Sequence, residues 1–353
     1  MRCAIVGSGL AAVAGFATLR HGGIDPGEVT VFGTDEDPTA AWRERAAAIR
    51  QRRMRSESDG HLAATSFPGL AVRATWSEWS LRPLLQTAAS RYHPTVEEFL
   101  RHAGEVVAAS GWEHSFVKSR IERIRAVAGG FELDGAGPFE HVLVATGHPG
   151  LERLPGAVHA YEPHEYAARV AIVGAGMAAA TEWLNALQAG AEVVSIRRHE
   201  PLRRPLNVPR PYFSKRGLAS FQGLPARERA ARLRELSAPS YPPGRAWDEA
   251  LDTDRFRIET TPPAGFQVIA ATGFKRGYAS DPLLRDLVSA HELETQERWI
   301  VLDRNSTVPT LTNETRTLSL AGVAAQWAFP AADTIAGAKF AARAFLRRTC
   351  RTR

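Results

Sequence analysis

The chain has 353 residues, 44 basic and 38 acidic, giving a net charge of +6, with 44% hydrophobic and 23% charged side chains. These are globular proportions, which exclude disordered and fibrous classes, and the length suits two domains whose cores need neither disulfide nor metal. No run of 18 apolar residues occurs, so a membrane span is not expected.

In chain order, an apolar run from Cys3 to Val6 predicts a strand, Leu10–Arg20 a helix ending at Gly22-Gly23, and Val29–Phe32 a second strand. The same order recurs as a strand at Val170–Val173, a helix at Met177–Gln188 before Gly190, and a strand at Glu192–Ile196. Residues 4–12 (AIVGSGLAA) and 171–179 (AIVGAGMAA) agree at seven of nine positions, 167 residues apart. Both are GxGxxA turns between strand and helix. Gly7 and Gly174 permit the tight turn, and Gly9 and Gly176 let the backbone approach a pyrophosphate. Ala12 and Ala179 allow close helix–strand packing, and the helix N-terminus offers unpaired N–H groups to phosphate. Two copies in this context predict dinucleotide binding.

The residue after the second strand faces the adenosine ribose. In the second copy this place holds Arg197-Arg198-His199, with Arg203-Arg204 following. Guanidinium groups suit a 2′-phosphate, so this site is expected to take NADPH. In the first copy Gly33-Thr34 precede the acids, and Asp35 is the expected ribose partner. Two further strands, Val142–Val144 and Val268–Ala270, each run into Ala-Thr-Gly, at Thr146-Gly147 and Thr272-Gly273. Strands of this kind end against a ligand or another backbone.

The order GxGxxA, ATG, GxGxxA, ATG resembles two-dinucleotide-binding-domain flavoproteins, and most closely the flavin-containing and N-hydroxylating monooxygenases. Phe274 completes a motif similar to the family's ATG-[FY]. His93–Leu100 resembles the segment opening the helix before the first ATG strand. Leu320-Ala321-Gly322 and Asp333–Ala338 resemble the closing FAD segment, with a C-terminal helix to about Leu346. The resemblance covers nearly the whole chain except about 205–260. It implies an α/β fold of two Rossmann-like domains, with the NADPH domain inserted into the FAD domain: FAD binding by 1–160 and 276–353, NADPH binding by 161–275. It also implies cofactor contacts at Thr146, Gly147, Thr272, Gly273 and Gly322.

The sequence departs from the family in three places. Leu154–Tyr161 lacks the initial Phe of the fingerprint Phe-x-Gly-x-x-x-His, leaving His159 as its remnant. Gly322-Val323 replaces the Gly-Asp of related reductases. No Gly-Gly precedes Trp42, which either covers the flavin or packs in the core. The loop 54–69, rich in Ser, Asp, Gly and Pro, matches the region passing the isoalloxazine. Asp59 and His61 are its candidate catalytic residues, a solvated loop being the alternative. Trp76, Trp79 and Trp327 are candidate substrate-pocket walls, with core burial as the alternative.

The activity implied is that of an FAD- and NADPH-dependent monooxygenase. NADPH reduces FAD, O₂ forms a C4a-(hydro)peroxyflavin, and a small molecule undergoes N-, S- or Baeyer–Villiger-type oxygenation. A flavin-dependent NADPH oxidoreductase or oxidase without oxygen insertion is the alternative, followed by a non-catalytic nucleotide sensor. The proline-rich stretch 205–243, with a helix-like segment near 225–236, reads as an excursion serving as lid or oligomer contact. Nothing fixes the oligomeric state, and a homodimer is compatible with it.

Cys3 and Cys350 stand at opposite ends, so neither a dithiol couple nor a metal site is expected. Gly7 interrupts the opening apolar run too early for a signal-peptide core, and the expected address is a reducing cytoplasm. Only four basic residues are lysine (Lys118, Lys215, Lys275, Lys339). The arginines are scattered except at 43–55, 197–210 and the C-terminus. Excess charge so distributed bears on solubility and steering, and neither a nucleic acid nor a membrane is an expected partner.

Overall fold

The computed structural model describes residues 2–55, 62–63, 69–90, 92–244, 247–248 and 251–350. The first part runs β1 (Cys3–Val6), α1 (Leu10–His21), β2 (Val29–Gly33), then helices α2 (Ala40–Ala48), α3 (Leu70–Glu78), α4 (Arg82–Ser90) and α5 (Val96–Ser110). Strand β3 (Phe116–Lys118) follows, then the meander β4 (Ile124–Val127), β5 (Gly130–Leu133) and β6 (Ala136–Phe139), and β7 (His141–Val144). The second part contains β8 (Val158–His159), β9 (Arg169–Val173), α6 (Met177–Gln188), β10 (Glu192–Ile196), β11 (Leu202–Arg203), α7 (Lys215–Gln222), α8 (Ala226–Leu236) and β12 (Ser240–Tyr241). It ends with β13 (Phe256–Glu259) and β14 (Gln267–Ala270). The chain closes with α9 (Pro282–His291), β15 (Thr295–Gln296), β16 (Trp299–Ile300), β17 (Thr317–Leu320) and α10 (Ile335–Thr349).

Local chemistry sets these boundaries. Thr95 and Glu98 form a reciprocal capping box at the start of α5, and Gly111 ends that helix in the left-handed region at φ +77°. Asp281 accepts from the N–H groups of Leu283 and Leu284, and Pro282 opens α9.

Two five-stranded parallel sheets result, in the orders β17-β7-β1-β2-β3 and β8-β14-β9-β10-β13. The orders correspond strand for strand, each with a glycine-motif strand at its centre and an ATG strand beside it. The expected fold of two Rossmann-like units, one set within the other, is therefore present. One edge moves: β8, within 1–160 as first divided, pairs with β14 and belongs to the second sheet.

Both faces of the first sheet are covered, as a parallel sheet requires. Ala4 and Val6 join a core with the meander, α9 and the closing strands, whereas Cys3 and Ile5 face α1, α5 and α10. The excursion crosses to this first unit. Val208, Phe221, Ala230 and Leu233 enter the same core as Trp327 and Phe329. The Gln222 side-chain amide donates to the Ala328 carbonyl at 2.9 Å, and Arg229 lies over the Trp327 ring at 4.9 Å.

A second connection runs the other way. Arg55, on the first unit, donates to the carbonyls of Arg204 (2.6 Å), Pro205 (3.2 Å) and Ser240 (3.2 Å), and also to Asn207. Burial, followed by the neighbouring Arg204, lowers its guanidinium to about 10.

Candidate active site

The two glycine turns share one construction. Gly7 (φ +116°) and Gly174 (φ +138°) adopt backbone that only glycine enters readily. A Cβ on Gly7 would lie 2.3 Å from the Ala145 carbonyl oxygen, and one on Gly174 would lie 2.4 Å from that of Ala271. The alanine of each ATG is thus the wall against which its glycine turn is built. Ala145 N–H donates to Val6 at 2.7 Å and Ala271 N–H to Val173 at 2.8 Å.

Gly9 and Gly176 hold the N-cap positions of α1 and α6 with no side-chain cap, and nothing lies within 4 Å of where a Cβ would stand. The first-turn N–H groups therefore face open space, an arrangement that accepts a phosphate. Ala12 and Ala179 are fully buried. In the first unit α1 also comes close to the sheet at Gly15, whose Cβ would meet the Leu143 side chain at 2.6 Å.

Both second strands end beside their glycine turns, and the Gly174 N–H donates to the Ile196 carbonyl at 3.1 Å. Gly33 lies under Ser8, and the exposed Asp35 donates its N–H to Ser8 Oγ at 3.4 Å. In the second unit, Arg197 lies over the Trp183 ring and pairs with Glu200 at 3.0 Å, yet its Nη1 is buried without a hydrogen-bond partner among the described residues. Nη1 of Arg204 is orphaned likewise, and Arg198 is exposed. This donor set suits an anion. Arg203 differs, because Asp248 at 2.6 Å already neutralises it while its guanidinium lies over Tyr241.

The ATG ends meet between the two sheets. Gly147 (φ +75°) and Gly273 (φ +82°) turn the chain, and the residues that follow them, His148 and Phe274, stack at 4.3 Å. Tyr161 continues the stack at 5.1 Å, and Arg45 from α2 lies over Phe274 at 4.9 Å. The bridge between Leu151 and Phe274 binds the two crossing segments. His148 Nδ1 is buried without a hydrogen-bond partner among the described residues. Burial, then Arg276 and Arg45, holds this imidazole down at about 4, so it is neutral at physiological pH. Burial raises the Tyr161 phenol, with Arg45 opposing.

Both ATG hydroxyls donate within the protein, which leaves their lone pairs available to accept. Thr146 donates to Asp281 at 2.9 Å and Thr272 donates to the Glu152 carbonyl. Gly322 (φ +63°) begins the turn after β17 beside Ala11 of α1, so it does lie next to the first glycine turn.

Trp42 is half-buried and packs edge-on against Phe99 at 5.2 Å. His159 is buried, its Nε2 on the Gly273 carbonyl at 3.1 Å, a structural role. Trp327 is buried beneath Arg229, while Trp76 and Trp79 are exposed. Asp59 and His61 lie outside the described residues. A cleft of about 490 Å³ lies between the excursion and Leu302–Asn305, lined partly by Gln222 and Arg229 and by no residue of either glycine turn.

His148, Arg45 and Arg276 were not foreseen. The available signal was position, since His148 and Phe274 occupy the same place after each ATG.

These sheets and turns define a two-dinucleotide-binding-domain architecture. No protein-family model matches the chain, and no curated protein sequence matches it. Solved structures do. The ornithine N-hydroxylase of Kutzneria sp. 744, described with reduced FAD, NADP⁺ and L-ornithine, is 15% identical, with a TM-score of 0.71 over 98% of this chain and 99% of that one. The ornithine hydroxylase of Pseudomonas aeruginosa is 16% identical, with a TM-score of 0.68 over 99% of both chains. Bacillithiol disulfide reductase from Bacillus cereus is 15% identical, with a TM-score of 0.56 over 98% of this chain and 97% of that one. At these identities the likeness is one of fold.

Proposed function

We propose that this chain is an FAD- and NADPH-dependent monooxygenase acting on a small molecule, with a soft nucleophile such as an amine as the oxygen acceptor. The observation that carries the reading is the pair of uncapped glycine turns whose ATG strands converge on one junction. Two nucleotides held this way would bring their reactive ends to the same place. The higher TM-scores of the amine hydroxylases support this reading over the reductase one.

Gly7, Gly9 and the α1 N-terminus would hold the FAD pyrophosphate, Asp35 its ribose, and Gly147 and Gly322 the backbone bordering its path. Gly174, Gly176 and the α6 N-terminus would hold the NADPH pyrophosphate, with Arg197 and Arg198 at its 2′-phosphate. When bound, FAD supplies hydride acceptance and reactivity toward O₂. The chain's own contribution is to orient and to exclude water. His148, neutral and with a free Nδ1, can donate or accept one hydrogen bond at the junction without adding charge. The stack of His148, Phe274 and Tyr161 shuts one side against solvent.

The test compares NADPH consumed with oxygenated product formed, using the purified yellow protein and a panel of diamines, basic amino acids and thioethers. Complete conversion of O₂ to hydrogen peroxide with every substrate would replace this reading with the NADPH oxidase one.

A further inference from the structure

The surface of α3 and α4 carries an inverted amphipathic pattern. On α3 the buried side is Leu70, Ala71, Ala74 and Thr75, mostly small residues that pack beside Tyr92. The large apolar residues point away: Trp76 is 69% exposed, Trp79 96%, Leu81 67% and Leu85 67%, with Leu84 beside them. Trp79 ends α3 with φ +50°, a left-handed conformation that a bulky residue rarely adopts. The turn thereby holds the indole out in water.

Scattered exposed leucines need no explanation, but a contiguous patch does. These five side chains present roughly 700 Å² of accessible surface, above the largest patch of most monomers and close to the ~800 Å² each partner contributes to a stable interface. The rim discriminates among occupants. Glu78 and Arg82 are both exposed beside the tryptophans, and Arg73 is paired with Glu105. A surface that inserts into anionic lipid carries a basic rim. An apolar centre flanked by one acid and one base is instead self-complementary across a twofold axis.

We infer that the α3–α4 hairpin is a homodimer interface, in which Trp76, Trp79, Leu81, Leu84 and Leu85 of one copy pack against the same residues of a second copy. The inference needs no cofactor and stands apart from the catalytic reading.

Sedimentation velocity of the full chain, from nanomolar to high-micromolar concentration, tests it. The wild type should sediment at twice the monomer mass. Trp79→Glu combined with Leu85→Glu should raise the dissociation constant by about 100-fold or more, with an unchanged circular-dichroism melt. Should that double variant fail to fold, Trp79→Ser alone should raise it about tenfold. A wild type that stays monomeric throughout, or a folded variant that stays dimeric, overturns the inference. So does a monomeric wild type that floats with phosphatidylglycerol–phosphatidylcholine vesicles when Trp79→Ser does not, which would assign the patch to a lipid surface.

Discussion

The two halves of this molecule share a scaffold and differ in what hangs from it. Between β2 and β3 the first unit carries α2–α5, and between β10 and β13 the second carries α7 and α8. The first set contributes Arg45 to the junction and Arg55 to the second unit. The second set packs onto the first unit through Phe221 and Leu233. Each unit thus completes the other. The cores differ at one telling place as well. Where α1 has Gly15 against Leu143, the matching position of α6 has Glu182, fully buried and accepting from His164 at 2.9 Å and Tyr166 at 3.0 Å. One unit solves close packing by deleting a side chain; the other spends an ionisable cluster on stapling the segment between β8 and β9.

The largest effects should come from the shared element. Gly7→Val and Gly174→Val each drive a side chain into an ATG carbonyl at a positive φ. Gly7→Val should abolish flavin absorbance, whereas Gly174→Val should keep the flavin and lose NADPH-dependent reduction. Loss of flavin from both would show that the halves are not separable.

The second effect tests the difference in the cores. Glu182→Leu leaves His164 buried without its anion and should cost about 3–5 kcal/mol in urea unfolding. Burial acts to lower the His164 imidazole, but its bonds to Glu182 and to the Glu162 carbonyl outweigh this and raise it. A raised cationic group contributes fully below its unfolded value of about 6.5, and the contribution fades as pH rises through the folded value. The stability gap between wild type and Glu182→Leu should therefore narrow from pH 6 to pH 9. A gap that widens would mean that His164 is neutral in the fold.

Next comes nucleotide choice. Arg198→Ala should raise the NADPH KM about tenfold or more and leave that for NADH unchanged, the effect of one charge-assisted hydrogen bond. The smallest effect belongs to Arg203→Ala, below about threefold, because Asp248 already occupies that guanidinium. Equal effects at 198 and 203 would break the distinction between a presented and a paired arginine.

What the sequence disclosed was whatever depends on local backbone. The turns at Gly7 and Gly174, helix Met177–Gln188 and strand Glu192–Ile196 lie where the repeat predicted them, because glycine placement and apolar runs act over a few residues. What escaped were tertiary choices: that Phe221 packs on the far unit, that Trp79 points outward, that Arg203 has Asp248 as partner, and that the ATG threonines donate to Asp281 and to the Glu152 carbonyl. Each depends on residues tens of positions away, which no motif encodes.

Arg55 has a consequence for motion. One guanidinium gathers three backbone carbonyls and a side-chain amide from the other unit. Swinging one sheet relative to the other would strip those bonds together and strand a cation in a largely buried place. The gap between the two glycine turns is therefore held as a fixed span. Any travel the chemistry demands has to be made by whatever lies in that span, while the frame stays still.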